Sequence, residues 1–565
     1  VKRQARFASG SNLPTIVVTG FMGTGKTSVA CELSSMLGLE FLDTDTEIER
    51  SEGRTIAEIF ARHGEDHFRS MERRLCASLK GRRGVVIATG GGTLLDAGVR
   101  EMFGDGAHIV LLETSLETLC TRLESNRNRP LLATDGQPLS TSALRERVAA
   151  MLGERRPAYH RITNRVDTSQ GTPVDAASRI AASTRLPHET LFILPGGSAP
   201  KKDAEAVPAG RYGASRIEIG RGALSKLGIR LREMGLTTHA FLLMSEVIQR
   251  LFLPQIARSL DDADVPFSVI DVEDGDSRKN LGQTERIIDH LIEHGARRDA
   301  TVIPVGGGVT GDIGGLAASL FMRGVPLVQV PTTLLAQVDS SIGGKVGVNH
   351  PLAKNLIGAF YQPHLVLSDP CTLRSLPIEE VSNGMAEVVK SALIGSEAFF
   401  DFLDQSMSGD AAALRDVGFL ETCVVESGRI KVEIVNADPY ENDRRRTINL
   451  GHTVGHALEA SAGYQGLKHG QAVSLGLLAA LRIAVSRGAL SAEVLDRTRS
   501  ILARCGLPVT LESFDRPSVV RSLRLDKKIR NGRIHFVMPT GIGRTRVVDD
   551  VGVEEILAAM EIDRA

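Results

Sequence analysis

The feature that most restricts the fold of this chain is Gly20-Phe-Met-Gly-Thr-Gly25-Lys26-Thr27. This G-x-x-x-x-G-K-T loop follows the apolar run Thr15–Thr19 and opens a helical pattern at Thr27–Leu37. It requires a strand before it and a helix after it, because its backbone N–H groups turn inward at the helix N-terminus and cradle phosphates. Gly23, Thr24, Gly25, Lys26, Thr27 and Ser28 are the candidate nucleotide contacts, with Lys26 on the β/γ-phosphates and Thr27 on Mg²⁺. Val85–Thr89 and His108–Leu112 are further continuous apolar runs, which suit strands buried on both faces of a parallel sheet.

The loop specifies a nucleoside triphosphate and leaves the acceptor open. Phe41-Leu-Asp43-Thr-Asp45 alternates two carboxylates at an expected strand end, so that both point to one side. One suits Mg²⁺ and the other suits a proton from a substrate hydroxyl. Taken alone, the pair reads equally well as a solvated acidic turn. Arg69, Arg129 and Arg155, with the bare backbone of Gly90, Gly91 and Gly92, suit a carboxylate-bearing acceptor, although a single Arg is more often a surface residue.

Farther along, Gly306-Gly-Gly308-Val-Thr-Gly311 follows the apolar run Ala300–Val305. A G-x-G-x-x-G match in isolation divides evenly between a structural turn and a dinucleotide loop, and no acidic residue falls about 20 positions on, as the usual fingerprint has it. His452 and His456 are spaced i, i+4 on one helix face, and His469 follows in a Lys-His-Gly turn. With Glu387 they offer a two-His, one-carboxylate set that leaves a metal an open position, although H-x-x-x-H alone is often two unconnected histidines. Cations such as Lys345 in SSIGGKVGVN are set among Gly and apolar residues, where an anion would offset the cost of burial.

The chain has 565 residues, enough for three or four domains, and its charge of -1 argues against a general nucleic-acid binder. The longest apolar stretch, Val473–Val485, is interrupted by Ser474 and Arg482 and is too short to span a bilayer. Residues 1–14 show no apolar core of a secretory signal, and six scattered cysteines read as reduced thiols. A cytoplasmic enzyme of small molecules is expected, with no nucleic-acid or membrane partner. Pro195–Gly210 is a Gly-, Pro- and Ala-rich loop between two strand-like runs, Leu191–Leu194 and Arg216–Ile219, and reads as a hairpin insertion with the domain boundary near 184–188.

The order GFMGTGKTSVA, FLDTDTEIE, ATGGGT, RNRPLL and RRPAYHR resembles shikimate kinase over residues 12–180. The resemblance implies that Asp45 binds the shikimate hydroxyls and acts as base, and that Asp43 associates with Mg²⁺. Arg69 and Arg155 clamp the carboxylate, Gly90–Gly92 line the acceptor pocket and Arg129 meets the phosphates. Glu154 departs from the Lys of some relatives. Residues 189–560 carry GGGVTGDIGGLAAS, PLVQVPTTLLAQVDSSIGGKVGVNH, NGMAEVVK, INLGHTVGHALE and DKKIRNG, and resemble 3-dehydroquinate synthase.

That second resemblance implies Glu387, His452 and His469 as Zn²⁺ or Co²⁺ ligands, with His456 in the active site. Asp339, Arg323, Lys345, Asn355, Lys390, Lys431, Arg445, Asn449 and Lys527 match substrate-contacting positions. Asp276, Lys279, Gly307, Gly308, Asp312, Thr332 and Thr333 match NAD-contacting positions. Asp276, Asp443 and Gln471 depart from the usual residues. The implied fold is α/β throughout. Residues 1–185 form a three-layer P-loop kinase domain, 186–370 a Rossmann-like NAD-binding domain and 371–565 a helical metal and substrate domain. The implied activities are ATP- and Mg²⁺-dependent shikimate phosphorylation, and NAD- and metal-dependent cyclisation of a seven-carbon phosphate, with a homodimer formed through the synthase half. The rival readings are another small-metabolite kinase, a polyol dehydrogenase or other sugar-phosphate cyclase, and a regulator with one degenerate half.

Overall fold

The computed structural model describes residues 14–103, 107–124, 133–134, 137–138, 140–184, 189–193, 214–350, 353–407, 411–441, 443–462, 466–511, 514–525, 529–530 and 533–561. The chain divides into two compact units, one of residues 8–187 together with 254–259 and the other of the remaining residues. In the first, β1 (Thr15–Gly20) is buried along its whole length, which is why it reads as an unbroken apolar run. It is the central strand of a parallel sheet in the order β2-β3-β1-β4-β5, where β2 is Glu40–Asp43, β3 Val85–Ala88, β4 Ala107–Glu113 and β5 Asn164–Asp167.

Successive β1 side chains go to opposite faces. Ile16 and Val18 pack with Val29 and Leu33 of α1 (Lys26–Leu37), whereas Val17 packs with Cys76 of α3 (Ile56–Ser78). Helices on both faces complete the expected three-layer α/β architecture.

One local expectation fails. Asp43 and Asp45 do not alternate along a strand. β2 stops at Asp43, whose Oδ1 accepts hydrogen bonds from the Asp45 N–H at 3.0 Å and the Thr46 N–H at 3.2 Å. Asp43 is the N-cap of α2 (Thr44–Glu52), and Asp45 lies in the first helical turn. A short carboxylate that satisfies otherwise unpaired helix N–H groups outweighs the continuation of the strand.

The second unit holds a seven-stranded sheet in the order β9-β8-β10-β11-β14-β7-β6. The strands are β6 (Glu189–Ile193), β7 (Ser215–Ile219), β8 (Ala240–Met244), β9 (Phe267–Asp271), β10 (Thr301–Gly306), β11 (Val328–Pro331) and β14 (Leu365–Ser368). Only the β6–β7 edge pair is antiparallel. The apolar run Val325–Val330 is a strand only from Val328, after Gly324 at φ +117 and Pro326, which lacks a ladder N–H. Two further strands, β12 (Lys345–His350) and β13 (Ala353–Phe360), form a separate antiparallel hairpin that the glycine-rich sequence does not announce.

Helices dominate beyond residue 376, including α7 (Ile378–Gly395), α8 (Val417–Ala437), α9 (His452–Ser461) and α10 (His469–Ser486). α10 is long and apolar enough to cross a membrane, but Val473, Leu477, Leu481 and Ala484 are buried in the unit's main core. It is a core helix, and its Arg482 donates to the Ala559 carbonyl at 2.9 Å.

Candidate active sites

In the first unit, Gly25 caps α1 at φ +86, a conformation that side chains disfavour, and the loop it closes brings Lys26 Nζ within 3.1 Å of the Phe21 carbonyl. The Thr27 hydroxyl donates to Asp43 Oδ2 at 2.8 Å, which joins the phosphate loop to the end of β2.

The triple glycine gathers the other expected residues. A Cβ on Gly90 would lie 2.8 Å from Asp45 Oδ1 and 2.7 Å from Glu72 Oε1, and one on Gly92 would lie 2.5 Å from Arg69 Nη1. The Gly91 carbonyl accepts from Arg155 Nη1 at 3.2 Å and the Tyr159 hydroxyl at 2.7 Å. Bare backbone therefore leaves a recess bounded by two carboxylates, Asp45 and Glu72, and two guanidinium groups. Asp45 Oδ1 is buried without a hydrogen-bond partner. Burial and the neighbouring Asp43 raise its carboxyl to about 6 against the opposing pull of Lys26, which suits a proton acceptor working near neutrality.

In the second unit, a cavity of about 2070 Å³ joins two subsites. At one end β10 runs into α6 (Gly308–Leu320) through the glycine loop. A Cβ on Gly307 would lie 3.3 Å from Thr333 Cγ2, and one on Gly308 would lie 3.0 Å from Ser340 Oγ. Thr332 Oγ1 is buried there without a partner. This bare cradle at a helix N-terminus, with an unused hydroxyl, fits a dinucleotide. Lys279 pairs with Asp312 at 2.5 Å and donates to Asn355 Oδ1 at 2.6 Å, while burial pushes the Asp312 carboxyl up.

At the other end, α7 and α9 and the start of α10 bring Glu387, His452 and His469 together. Both His452 Nε2, at 3.5 Å, and His469 Nε2, at 3.4 Å, face Glu387 Oε1. Glu387 is buried and neither carboxylate oxygen accepts a hydrogen bond, although Lys390 Nζ lies against it. Burial lowers the affinity of His469 for a proton, but Glu387 and Glu459 outweigh this and raise it to about 10. A cluster that draws positive charge this strongly, built from two imidazoles and a carboxylate, fits a divalent cation such as Zn²⁺.

Between the subsites, Lys431 pairs with Asp339, and Lys345 with Glu441 at 2.5 Å. Asn449 Nδ2 also donates to Glu441 at 2.8 Å, and the buried Arg445 donates to the Gly343 carbonyl at 2.8 Å. Three cations and two carboxylates thus line this part of the cavity.

Residues 269–383 match the family model "3-dehydroquinate synthase N-terminal", residues 384–529 match "3-dehydroquinate synthase C-terminal" and residues 22–184 match "Shikimate kinase". The 3-dehydroquinate synthase of Desulforamulus reducens is 40% identical over 349 residues, which cover 61% of this chain and 96% of the relative. The chain belongs to the 3-dehydroquinate synthase family. It carries a shikimate kinase domain ahead of the synthase.

The 3-dehydroquinate synthase of Symbiobacterium thermophilum is 42% identical over 348 residues, or 61% of this chain and 96% of that relative. Among solved structures, a 2-epi-5-epi-valiolone synthase from Streptomyces hygroscopicus with NAD⁺ and Zn²⁺ bound is 30% identical at a TM-score of 0.55, covering 59% of this chain and 93% of that one. A shikimate kinase from Acinetobacter baumannii in complex with shikimate is 37% identical and covers 30% of this chain and 92% of that one, at a TM-score of 0.28.

Within the synthase half, Lys345, Asn355, Lys431, Arg445, Asn449, His452, His456 and His469 all border one cavity, with Glu387 and Lys390 buried behind it. Arg323 does not border it. It is exposed, at φ +63, on the turn after α6. Arg129 and Lys527 lie outside the described residues. Glu154 is exposed, and Gln471 caps the start of α10 by accepting from the Lys468 N–H at 3.0 Å, so the amide preserves the local hydrogen bond.

Several polar residues of these sites were not read from the sequence. Glu72 is buried, holds Arg69 Nη1 at 2.6 Å and accepts from the Thr93 hydroxyl at 2.5 Å. Its i, i+3 spacing from Arg69 was a visible signal. Asp271, at the end of β9, also borders the cavity, so an acid reaches it from a strand other than the one that leads into the glycine loop. Glu441 sits in a left-handed conformation at φ +61, and nothing in its neighbourhood marks it.

Proposed function

We propose that the chain phosphorylates shikimate with ATP and Mg²⁺ in its kinase domain. In its synthase half it converts 3-deoxy-D-arabino-heptulosonate 7-phosphate to 3-dehydroquinate and phosphate. The corresponding segments are 1–185 for the kinase, 186–370 for the NAD-binding domain and 371–565 for the metal and substrate domain. One observation carries the reading. The chain holds both a buried, unpartnered Asp45 oxygen on the glycine run that two arginines also approach, near a phosphate loop, and a two-His, one-carboxylate cluster at a cavity with a glycine cradle.

In the kinase domain, Lys26 meets charge that develops on the transferred phosphoryl group, and Thr27 and Asp43 hold Mg²⁺. Arg69 and Arg155 grip the acceptor carboxylate in a fixed orientation, and Arg129 meets the phosphates. Asp45 takes the proton from the attacking hydroxyl.

In the synthase half, Gly307, Gly308, Asp312, Lys279, Asp276, Thr332 and Thr333 hold NAD, which supplies reversible hydride transfer. Glu387, His452 and His469 hold Zn²⁺ or Co²⁺, which supplies Lewis acidity toward a substrate oxygen. Lys345, Lys390, Lys431, Arg445, Asn355, Asn449 and Lys527 fix the phosphate and carboxylate of one substrate. Asp339 orients Lys431, and His456, exposed on the same helix face as His452, moves protons at the substrate.

We further propose a homodimer through the synthase half. Leu320 and Met322 beside Arg323 are 54% and 41% exposed, an apolar edge that a second copy would cover. All six cysteines are free thiols, which fits the cytoplasm.

One purified sample tests the main reading. Phosphate release from the seven-carbon phosphate with NAD⁺, and ADP formation from ATP that depends on shikimate and not on gluconate, are both expected. Net NADH accumulation in the first assay would point to a dehydrogenase instead.

A further inference from the structure

A chain of charges runs from the His469 cluster to Asp276. Glu459 lies on α9 at i+3 from His456 and i+7 from His452, so it shares their helix face. It is buried, at 3% exposure. Its Oε2 faces His469 Nδ1 at 3.6 Å, while the opposite ring nitrogen, Nε2, faces Glu387 at 3.4 Å. Its other oxygen, Oε1, lies 3.3 Å from Lys354 Nζ. That same ammonium lies 3.0 Å from Asp276 Oδ2, and Asp276 borders the nucleotide end of the cavity. Lys354 stands at the start of β13, in the hairpin that packs against the glycine-loop helix.

We propose that Glu459 is a positioning residue for the metal ligand His469, and that Lys354 ties this residue to Asp276 so that metal and dinucleotide binding are coupled. This rests on the reading of Glu387, His452 and His469 as the metal set. An imidazole ligand needs its proton on the nitrogen that faces away from the metal, and a carboxylate there fixes tautomer and ring orientation. Glu459 occupies that side of His469, and Nε2 points into the Glu387–His452 cluster. Lys354 forms ion pairs with both Glu459 and Asp276, so a shift of its ammonium toward either carboxylate changes the field at the other end. Coupling of this kind is reciprocal: whatever factor metal imposes on NAD⁺ affinity, NAD⁺ imposes on metal affinity.

The test uses the full chain. Zn²⁺ affinity is measured by chelator competition, Co²⁺ coordination by its visible d–d spectrum, and NAD⁺ affinity by calorimetry with and without Zn²⁺. Glu459→Gln, which keeps the side-chain shape, is expected to weaken Zn²⁺ about 10- to 100-fold and shift the Co²⁺ spectrum, with Glu459→Asp recovering part of the loss. Lys354→Met is expected to leave a Zn²⁺ site but remove the difference in NAD⁺ affinity between metal-free and metal-loaded protein.

Zn²⁺ affinity within twofold of wild type in Glu459→Gln would overturn the positioning role. Complete loss of metal in that variant, with the apoprotein still folded, would make Glu459 a ligand and overturn it equally. An unchanged NAD⁺ difference in Lys354→Met, or no difference in the wild type, would overturn the coupling. Glu387→Ala separates the two levels. Metal retained in that variant defeats the underlying ligand assignment, whereas metal lost there but held at wild-type affinity in Glu459→Gln defeats only the present inference.

Discussion

The hydroxyl of Thr27 and the carboxylate of Asp43 meet at 2.8 Å, although one opens the helix after the phosphate loop and the other ends the neighbouring strand. β1 and β2 both pair with β3, so the parallel sheet brings their C-terminal ends to one edge, where α/β folds bind ligands. On the proposed assignment, removing either partner would leave Mg²⁺ with one fewer oxygen nearby. Asp43→Ala should raise the Mg²⁺ concentration for half-maximal kinase activity by at least tenfold, and titration of the shikimate-dependent rate against Mg²⁺ checks it.

The raised carboxyl of Asp45 sets a pH dependence. A base must be ionised to accept a proton, so kcat/KM for shikimate should fall about tenfold per pH unit below about 6 and level off above it. The same burial acts on stability. A carboxyl raised in the fold contributes stability at pH below its unfolded value of 3.8, and that contribution is lost as pH rises through about 6. Asp45→Asn should therefore abolish turnover while stabilising the kinase domain by about 1–3 kcal/mol at pH 8 and by little at pH 4. Thermal melts at the two values check the sign.

Gly92 offers a sharper test of the acceptor pocket. Its φ is -109, which any residue adopts, so Gly92→Ala strains no backbone. The new Cβ would instead lie 2.5 Å from Arg69 Nη1 and 2.7 Å from Cζ, and the guanidinium must move. Loss of one charge-assisted grip amounts to about 1.5–3 kcal/mol, or roughly 10- to 100-fold. The rise should appear in the KM for shikimate, with the KM for ATP unchanged, in steady-state kinetics of both substrates.

Each unit holds its own set of site residues, and each has enough chain for its own core. Cutting between residues 184 and 188 should give two soluble pieces, each retaining its activity. Comparison of kcat/KM for each reaction in the intact chain and in the pieces checks it. A large loss recovered on mixing would mean that the halves complete each other.

What was legible in the sequence follows the physics of each element. β1 and β10 are buried on both faces, so unbroken apolar runs betray them, and the glycine loops after them are local in sequence. His452 and His456 were readable because four residues make one helical turn. The Asp43–Asp45 pair was misread as alternation in a strand because capping is decided by whether the next residues turn helical. The β12–β13 hairpin escaped because Gly344, Gly347 and Gly358 give it no clear apolar period, yet Gly347 and Gly358 permit its closest strand contact. Glu459 escaped because its partners Lys354 and His469 are brought to it by folding, whereas the spacing of Glu72 from Arg69 offered a local signal.

Two independent active sites in one chain are tested most directly by crossed variants. Lys26→Ala and His452→Ala are each assayed for both reactions on the same purified protein, and metal per chain is measured alongside. Lys26→Ala should lose shikimate phosphorylation by more than tenfold and keep 3-dehydroquinate formation and its metal. His452→Ala should lose 3-dehydroquinate formation and bound metal and keep the kinase. Either variant losing both reactions while remaining folded, or Lys26→Ala retaining the kinase within tenfold of wild type, would contradict this division of the chemistry.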